Sequence, residues 1–350
     1  MLPLSERSRS PHLPSTLALL AGGLALFAFL GLPGCKPAGS GAEATGTKQA
    51  SLQLNWVPEP QFGGIYEARR LGLFDDGELN IEVRAGSGGI SAPQLVATGE
   101  VEFGIVGGSQ ILQLNQQGGE LVALFAVYQH DPHGIMVPAD SPFQSIAELW
   151  KSPSATIGAE ASLAFIKALN RSAGATDGAR FVAYNLPAFR AGRQSATQCF
   201  VTAEPVTLEL AGFKTRVFSA SAVSGFDPYN TVLVTRRSHL ESHPEQCRRM
   251  VAAFTRGWTS YLADPAPTNA ILSQLNPSMS LEAMGLAAKK QLPLIEDEST
   301  RRMGIGCMTK ERWKSIAEQL ISFELLDGMP DIESLFIWPP QPAAKDSTAG

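Results

Sequence analysis

Short apolar segments alternate with segments of helical periodicity along most of this chain, and that alternation is the strongest constraint on its fold. Leu121–Tyr128 is typical of the apolar segments, whereas Ala161–Ser172 carries its apolar residues at helical spacing. Strands that alternate with helices pack as parallel α/β layers. The pattern restarts at about residue 139, and residues 238–325 are mostly helical. The sequence therefore predicts an α/β fold with two lobes.

The two lobes are predicted to be joined by two extended segments, Gly134–Pro138 on the outward path and Thr231–Thr235 on the return. We therefore assign residues 51–137 and 236–340 to a discontinuous first lobe, and residues 138–235 to the second lobe. One lobe interrupted by another is a hinge architecture, in which a few residues at the ends of elements allow the lobes to close on a ligand.

The amino terminus resembles the signal peptide of a bacterial lipoprotein. Arg7 and Arg9 give it positive charge, and the apolar run Leu17–Leu32 is shorter than the roughly 20 residues of a membrane span. The run ends at Leu32-Pro33-Gly34-Cys35, which is similar to a lipobox although Pro33 departs from the usual small residue. An uncleaved membrane anchor is the alternative interpretation.

The lipobox resemblance implies a signal peptide at residues 1–34 and an acylated Cys35 as the first mature residue. Lipid on Cys35 would hold the folded body at a membrane surface outside the cytoplasm. Residues 35–50 are small and polar without apolar periodicity, so they are predicted to form a flexible tether.

Composition and motif content exclude several classes of function. The 44% apolar content supplies cores for two domains, and a net charge of −5 argues against a nucleic-acid partner. The cysteine spacings do not match a zinc site, and the chain contains neither G-x-S-x-G nor H-E-x-x-H. His239 and His243 have the i, i+4 spacing of a ligand pair, but they flank a predicted helix start before Pro244, which argues against a metal there. No catalytic residue, metal or other cofactor is therefore predicted. Cys247 and Cys307 are the better placed pair for a disulfide, which the sequence leaves open.

Four stretches of the chain resemble the solute-binding proteins related to the binders of thiamine pyrimidine precursors, sulfonates and nitrate. They are residues 52–68 (LQLNWVPEPQFGGIYEA), 94–105 (QLVATGEVEFGI), 198–205 (QCFVTAEP) and 225–229 (GFDPY). The resemblance covers roughly residues 51–338 and implies the type II periplasmic-binding-protein fold. It also implies a small-molecule ligand and, as partners, the permease and ATPase of an ABC importer. We expect a monomer.

The chain departs from two branches of that family. Binders of pyrimidine precursors often carry histidine where this chain has Phe62 or Gly63. The related eukaryotic enzymes that make the pyrimidine carry a cysteine-rich, iron-associated motif, and this sequence has no such run. The second difference argues against that enzymatic activity.

Ligands of open α/β sheets bind beyond the carboxyl ends of the strands. This rule selects clusters that follow predicted strands in both lobes, and we expect them to face one another across a cleft. Trp56 would stack on a planar ring. Gly107, Gly108 and Ser109, with Ser109 as a helix N-cap, would offer backbone N–H groups. Glu204 is the strongest candidate to accept two N–H bonds, and the family resemblance points to the same position.

Five further residues are weaker candidates for the same cleft. Glu160 is a second acid, and Tyr66 and Tyr128 are candidates for a wall opposite the indole. Asp227 and Tyr229 either line the mouth of the cleft or tie the hinge. For each aromatic residue the alternative is burial in the core of its own lobe. For Glu204, which lies at a predicted helix start, the alternative role is to stabilise the helix dipole.

The leading hypothesis for function is the import of a planar nitrogen heterocycle, such as a thiamine pyrimidine precursor or a flavin-like molecule. A sulfonate or nitrate binder is the alternative in the same class, with Arg190 and Arg193 as the nearest cations. An enzyme that makes or modifies a metabolite and a lipoprotein that presents its ligand to a receptor are alternatives from other classes. The sequence leaves the identity of the ligand open.

Overall fold

The computed structural model describes residues 49–338 except 76–78, 88–89 and 175–177. The predicted signal peptide, Cys35 and all but the end of the predicted tether lie outside the described residues. In the described part of the chain, none of the helices combines the length and the apolar character that a bilayer span requires.

Ten strands in the described residues form two five-stranded sheets. The first sheet, in the spatial order β2-β1-β3-β10-β4, contains β1 (Ala50–Gln53), β2 (Ile81–Arg84), β3 (Phe103–Val106), β4 (Leu121–Tyr128) and β10 (Asn230–Arg236). The second sheet, in the order β7-β6-β8-β5-β9, contains β5 (His133–Pro138), β6 (Thr156–Gly158), β7 (Arg180–Val182), β8 (Ala196–Phe200) and β9 (Thr215–Ser219).

The helices that the structure describes connect these strands and cover the sheets. The first eight are α1 (Gly63–Arg70), α2 (Ala92–Thr98), α3 (Gly108–Gln116), α4 (Ile146–Lys151), α5 (Ala164–Ala173), α6 (Leu186–Arg190), α7 (Glu204–Leu210) and α8 (Ala220–Ser224). The others are α9 (Arg237–Ser242), α10 (Pro244–Ala263), α11 (Ala266–Leu275), α12 (Leu281–Lys290), α13 (Leu292–Ile295), α14 (Glu298–Met303) and α15 (Lys310–Ser322). Short 3₁₀ turns span Pro60–Phe62 and Ile332–Ser334.

The two sheets have the same topology. In each sheet four strands run parallel, and one antiparallel strand lies between the third and the fourth: β10 between β3 and β4, and β5 between β8 and β9. Each antiparallel strand is the first strand after the chain has crossed from the other sheet. This arrangement confirms the predicted fold class, two α/β lobes joined by two crossings.

The pairing of these two strands places the crossings earlier in the chain than the sequence indicates. β5 pairs with β8 and β9, so the first crossing is residues 129–132 and the predicted boundary after 137 is wrong. β10 pairs with β3 and β4, so the second crossing is residues 226–229 and the predicted boundary after 235 is also wrong. An apolar strand fits the centre of either sheet, and only its hydrogen-bonded pairing decides which sheet it joins.

The carboxylate of Asp227 holds the two crossings together. It accepts a hydrogen bond from the Asp131 N–H at 2.7 Å and bonds His130 Nδ1 at 2.7 Å. Arg312 of α15 donates to Asp227 and to the carbonyl oxygen of Gln129, so it bridges both crossings. Burial alone would raise the pKa of Asp227, but these hydrogen bonds and the Arg312 charge lower that pKa overall.

The first sheet is buried on both faces. All eight residues of β4 are buried, as expected for an apolar strand that is covered from both sides. Helices α1, α10 and α12 belong to the core cluster on one side, and α2, α3 and α15 belong to the other. The continuous apolar run that predicted a strand at 121–128 is therefore a consequence of this double burial.

Helices α1 and α10 approach each other closely where glycine replaces a side chain. A β-carbon at Gly257 would overlap the carbonyl oxygen of Gly64, and a β-carbon at Gly64 would overlap the indole of Trp258. Trp258 and Tyr261 of α10 are fully buried. Because α1 follows directly after the 3₁₀ turn at 60–62, this contact also anchors the end of the loop that leaves β1.

We expect Gly257→Ala to lower the melting temperature, although in a helix interior alanine is ordinarily more stable than glycine by about 1 kcal/mol. The added methyl group forces α1 and α10 apart, and overpacking of this kind costs about 1–3 kcal/mol. Gly285→Ala is the matched control, because Gly285 lies inside α12 with nothing within 4 Å of an added β-carbon, and it should raise the melting temperature. Calorimetry measures both variants; equal stabilisation by the two substitutions would contradict the packing argument.

The described cysteines Cys199, Cys247 and Cys307 are free and buried. The Cys247–Cys307 disulfide that the sequence left open is therefore not formed in this structure. Cys247 packs into the core cluster of α10 and the first sheet. Burial raises the pKa of its thiol to about 12, so that the thiol stays protonated at physiological pH.

Candidate functional site

A cleft of about 600 Å³ lies between the two sheets. Its lining follows the carboxyl ends of parallel strands in both lobes: Trp56 after β1, Gly107 after β3, Glu160 after β6, Tyr184 after β7 and Glu204 after β8. The two crossings and the starts of the strands that follow them add Asp131, His133, Phe226, Pro228 and Asn230. The strand-end rule for ligand sites therefore identifies the same cleft from both lobes.

In the first lobe, the loop after β1 carries an indole and a carboxyl group side by side. The Trp56 indole lies close enough to the Glu59 carboxyl group to lower the pKa of that group. Backbone hydrogen bonds fix this loop, from Leu54 N to the Arg84 carbonyl at 2.9 Å and from Gly86 N to the Trp56 carbonyl at 2.9 Å. The second strand of the sheet therefore holds the indole at the cleft.

The second lobe repeats this arrangement with a phenol and a carboxyl group. Glu204 is the first residue of α7, and its carboxylate accepts hydrogen bonds from the Phe200 N–H at 2.8 Å and from the Tyr184 hydroxyl at 3.2 Å. The rings of Trp56 and Tyr184 meet edge to face across the cleft, with centroids 6.4 Å apart and an interplanar angle of 73°. Trp56 and Glu204 thus line one gap from opposite lobes.

Burial raises the pKa of both carboxyl groups. The pKa of Glu59 rises to about 8 because of its burial and the negative charge of Glu204, despite the opposing effect of Trp56. Burial likewise raises the pKa of Glu204, although backbone N–H groups, the Tyr184 hydroxyl and the charge of His133 oppose the shift. Glu59 therefore carries a proton at neutral pH.

We expect the stability of the ligand-free protein to fall as the pH rises from about 4.5 to about 8. The folded protein keeps the Glu59 proton up to about pH 8, whereas the unfolded chain loses it near pH 4.5, so rising pH favours the unfolded state over this window. Glu59→Gln removes this contribution, so the melting temperature of the variant should depend less on pH than that of the wild type. Glu209→Gln, at an exposed position of α7 outside the cleft, is the control and should follow the wild type. Parallel curves for the wild type and Glu59→Gln would contradict the assignment.

The cleft carries carboxyl groups but, within the described residues, no lysine or arginine. Four of its lining residues are acidic: Glu59, Asp131, Glu160 and Glu204. The imidazole of His133 is engaged with Asp131, whose carboxylate lies 2.9 Å from Nδ1. Arg190 and Arg193, the cations that the sequence offered for anion binding, are exposed and lie outside the lining.

Half of the predicted ligand residues lie in the cleft lining, namely Trp56, Gly107, Ser109, Glu160 and Glu204. Their contact with a ligand stays a prediction. Ser109 is not the N-cap that the sequence suggested, because α3 begins at Gly108 and its cap is Gly107. The Gln110 side chain accepts a hydrogen bond from the Gly107 N–H at 2.9 Å, which satisfies one of the free donors at the start of α3.

The predicted tyrosine wall is wrong. Tyr66 lies on α1 within the core of the first lobe. Tyr128, in β4, is fully buried, and its hydroxyl group donates a hydrogen bond to the side-chain oxygen of Gln291 at 2.8 Å. The aromatic ring that faces Trp56 across the cleft is Tyr184. Both predicted tyrosines are fixed by packing against helices of their own lobe, which a strand-end rule does not describe.

The remaining three predicted residues belong to the hinge and do not line the cleft. The Gly108 N–H donates to the Tyr229 carbonyl at 2.9 Å, and a β-carbon at Gly108 would lie 2.8 Å from that oxygen. Gly108 therefore leaves room for the backbone of the second crossing, and not for a ligand. The Tyr229 hydroxyl accepts from the Thr309 N–H at 3.1 Å. Of the two roles left open for Asp227 and Tyr229, the structure supports the hinge.

The lining residues that sequence reasoning missed include Glu59, Tyr184 and His133. Glu59 lies three residues after Trp56 in a motif that was already singled out, and Tyr184 comes two residues after the end of β7, so the strand-end rule held a signal for both. His133 stacks on Phe165 with ring centroids 4.4 Å apart. That contact joins the start of β5 to α5 and left no local signal in the sequence.

Two comparisons by sequence agree with this architecture. Residues 59–268 match the family model described as NMT1/THI5 like. The riboflavin-binding protein RibY of Chloroflexus aurantiacus is 23% identical over 304 residues, which cover 83% of this chain and 85% of that protein. The match extends across both lobes.

Solved structures of low sequence identity share the fold. The periplasmic aliphatic sulphonate binding protein SsuA of Escherichia coli is similar with a TM-score of 0.63 at 15% identity, covering 85% of this chain and 94% of that chain. The desulfurization enzyme DszB is similar with a TM-score of 0.52 at 13% identity, covering 81% of this chain and 95% of that chain. At these identities the likeness shows the fold alone.

Two sheets of the same topology around a cleft of ligand size give the protein the two-lobed periplasmic-binding-protein fold. The chain belongs to the NMT1/THI5-like family, whose model matches more than half of its length. The resemblance that the four sequence motifs indicated is thereby confirmed.

Proposed function

We propose that this protein is the extracytoplasmic solute-binding lipoprotein of an ABC importer, and that it captures a planar nitrogen heterocycle of the thiamine pyrimidine precursor or flavin type. It acts as a monomer that delivers its ligand to a permease and an ATPase. The observation that carries the proposal is the lining of the cleft: aromatic rings and carboxyl groups from both lobes, with no lysine or arginine among the described residues.

The polar atoms of the cleft call for a ligand that donates hydrogen bonds. Besides the carboxyl groups, the side-chain oxygens of Asn55 and Gln198 are buried in the lining, and the described residues offer them no hydrogen-bond partner. Buried acceptors without partners are costly, and N–H groups on the edge of a heterocycle would satisfy them. The faces of such a ring match the Trp56 and Tyr184 side chains.

An oxyanion ligand fits this lining poorly. A sulfonate or nitrate would enter a cleft whose described lining has four acidic residues and no lysine or arginine, and like charges at close range cost several kcal/mol. The likeness to SsuA is one of fold and does not carry its ligand across. RibY, whose name gives riboflavin as its ligand, supports the heterocycle class.

The enzyme alternative lacks an activated nucleophile in the described cleft. Cys199 supplies a thiol to the lining, but burial and the charge of Glu204 raise the pKa of that thiol well above its usual range. The protonated thiol is a poor nucleophile. Binding without chemical change is therefore the function that the site supports better.

We expect thiamine, 4-amino-5-hydroxymethyl-2-methylpyrimidine or riboflavin to raise the melting temperature, and taurine, hexanesulfonate and nitrate to leave it unchanged. A ligand that binds only the folded state at 100 times its Kd adds about 2.7 kcal/mol to the free energy of unfolding. Thermal-shift assays measure the panel. Stabilisation by the sulfonates alone would establish the oxyanion alternative, and chemical alteration of a bound heterocycle during incubation would establish the enzyme.

Glu204→Ala should weaken the binding of whichever heterocycle stabilises the protein by about 2–4 kcal/mol, the range for truncating a buried hot spot. The Glu204 carboxylate lies in the cleft beside the Tyr184 hydroxyl, so its loss removes a hydrogen-bond acceptor that the proposed ligand uses. Glu209→Ala, on the same helix but outside the cleft, should bind as the wild type does. Equal Kd values for the two variants in titration calorimetry would remove Glu204 from the site.

The lipid anchor of the proposal rests on the sequence before Cys35. In a bacterial host fed labelled palmitate, we expect the wild type to take up label and Cys35→Ala to take up none. Cys247→Ala is the control, because Cys247 is buried in the folded body and keeps its thiol away from acylation. Label on the Cys35→Ala variant would refute attachment at this residue.

A further inference from the structure

The two lobes present the same pair of groups to the cleft. In each lobe an aromatic side chain lies beside a carboxyl group of its own lobe: Trp56 is close enough to Glu59 to lower its pKa, and the Tyr184 hydroxyl donates a hydrogen bond to Glu204. The two aromatic rings meet edge to face in the middle of the cleft. Glu59 and Glu204 are also close enough for the charge of one to act on the other. The cleft is therefore spanned by a continuous row of carboxyl, indole, phenol and carboxyl groups.

The described side chains around this row offer it no free positive charge. The titratable groups that act on Glu59 or Glu204, or that share the cleft with them, are Tyr128, Tyr184, Cys199, His133, Asp131 and Glu160. Of these only the imidazole can become cationic, and it already bonds the neighbouring aspartate. Two carboxyl groups in one site cannot both ionise cheaply, so without a ligand the pair retains a proton.

We propose that Glu59 and Glu204 form a cation-selective clamp, with one carboxyl group from each lobe, and that the heterocycle this protein captures carries a positive charge which replaces the proton of the pair. The inference rests on the proposed function and narrows its ligand class. Glu59 becomes a specificity-determining residue alongside Glu204, because a neutral ring leaves the proton in place and gains only hydrogen bonds.

The aromatic rings of the row favour the same ligand charge. The faces of indole and phenol rings attract cations, and a delocalised ring cation placed against Trp56 and Tyr184 gains from this attraction as well as from stacking. The two carboxylates then lie on opposite lobes, so that both are neutralised only when the lobes are together. Charge selection and lobe closure are thus served by the same four side chains.

Titration calorimetry with thiamine, a permanent cation, and riboflavin, a neutral ring system, tests the clamp in two buffers of different ionisation enthalpy. We expect thiamine binding to release about one proton to the buffer, and its affinity to rise by up to about tenfold per pH unit between pH 6 and pH 8. Riboflavin, if bound, should release none and bind equally at both pH values. Glu59→Gln and Glu204→Gln should each weaken thiamine binding at least tenfold, abolish the proton release and change riboflavin binding less than twofold.

Glu209→Gln is the matched control and should release the proton as the wild type does. Thiamine binding without proton release, or equal loss of both ligands in Glu59→Gln, overturns the clamp while leaving the proposed function standing. Binding of riboflavin without binding of thiamine would likewise overturn the clamp and leave the proposed function standing. If no heterocycle of the panel binds, the proposed function fails, and the clamp fails with it. Circular dichroism of each variant confirms that the lobes are folded.

Discussion

The insertion of each crossing strand between two strands of the sheet that it enters controls the geometry of the whole molecule. Each crossing leaves an edge strand, β4 or β9, and enters the other sheet, where β5 lies between β8 and β9 and β10 lies between β3 and β4. Asp227 and Arg312 then bind the crossings to each other. With the crossings held side by side, the carboxyl ends of both sets of parallel strands border one gap. The cleft and the hinge are two results of one pairing pattern.

The cleft departs from the rule that buried charges are paired, and the departure is informative. A buried carboxyl group without a cation is unfavourable unless it is protonated or hydrogen-bonded, and Glu59 and Glu204 use both remedies. Asn55 and Gln198 add buried oxygens that the described residues leave without partners. Such local conflicts concentrate where a protein binds its ligand. Acceptors of this kind favour a ligand that donates hydrogen bonds.

The sequence predicted regular elements well where they are long or doubly buried. The strand at 121–128 was predicted to the residue. The helices α6 and α8 were missed, because segments of five residues are too short to show helical periodicity. Both lobe boundaries were misplaced by one strand, since the composition of a central strand is the same in either sheet.

The sequence by itself determined the α/β alternation, the family motifs and the strand ends that bring Trp56 and Glu204 to the cleft, because each of these depends on neighbours along the chain. The tertiary structure alone decided that Tyr184 faces Trp56, that Tyr66 and Tyr128 belong to the core, and that the described lining contains no lysine or arginine. Those outcomes depend on the direction of side chains and on contacts between segments far apart in sequence. A strand-end rule carries neither kind of information.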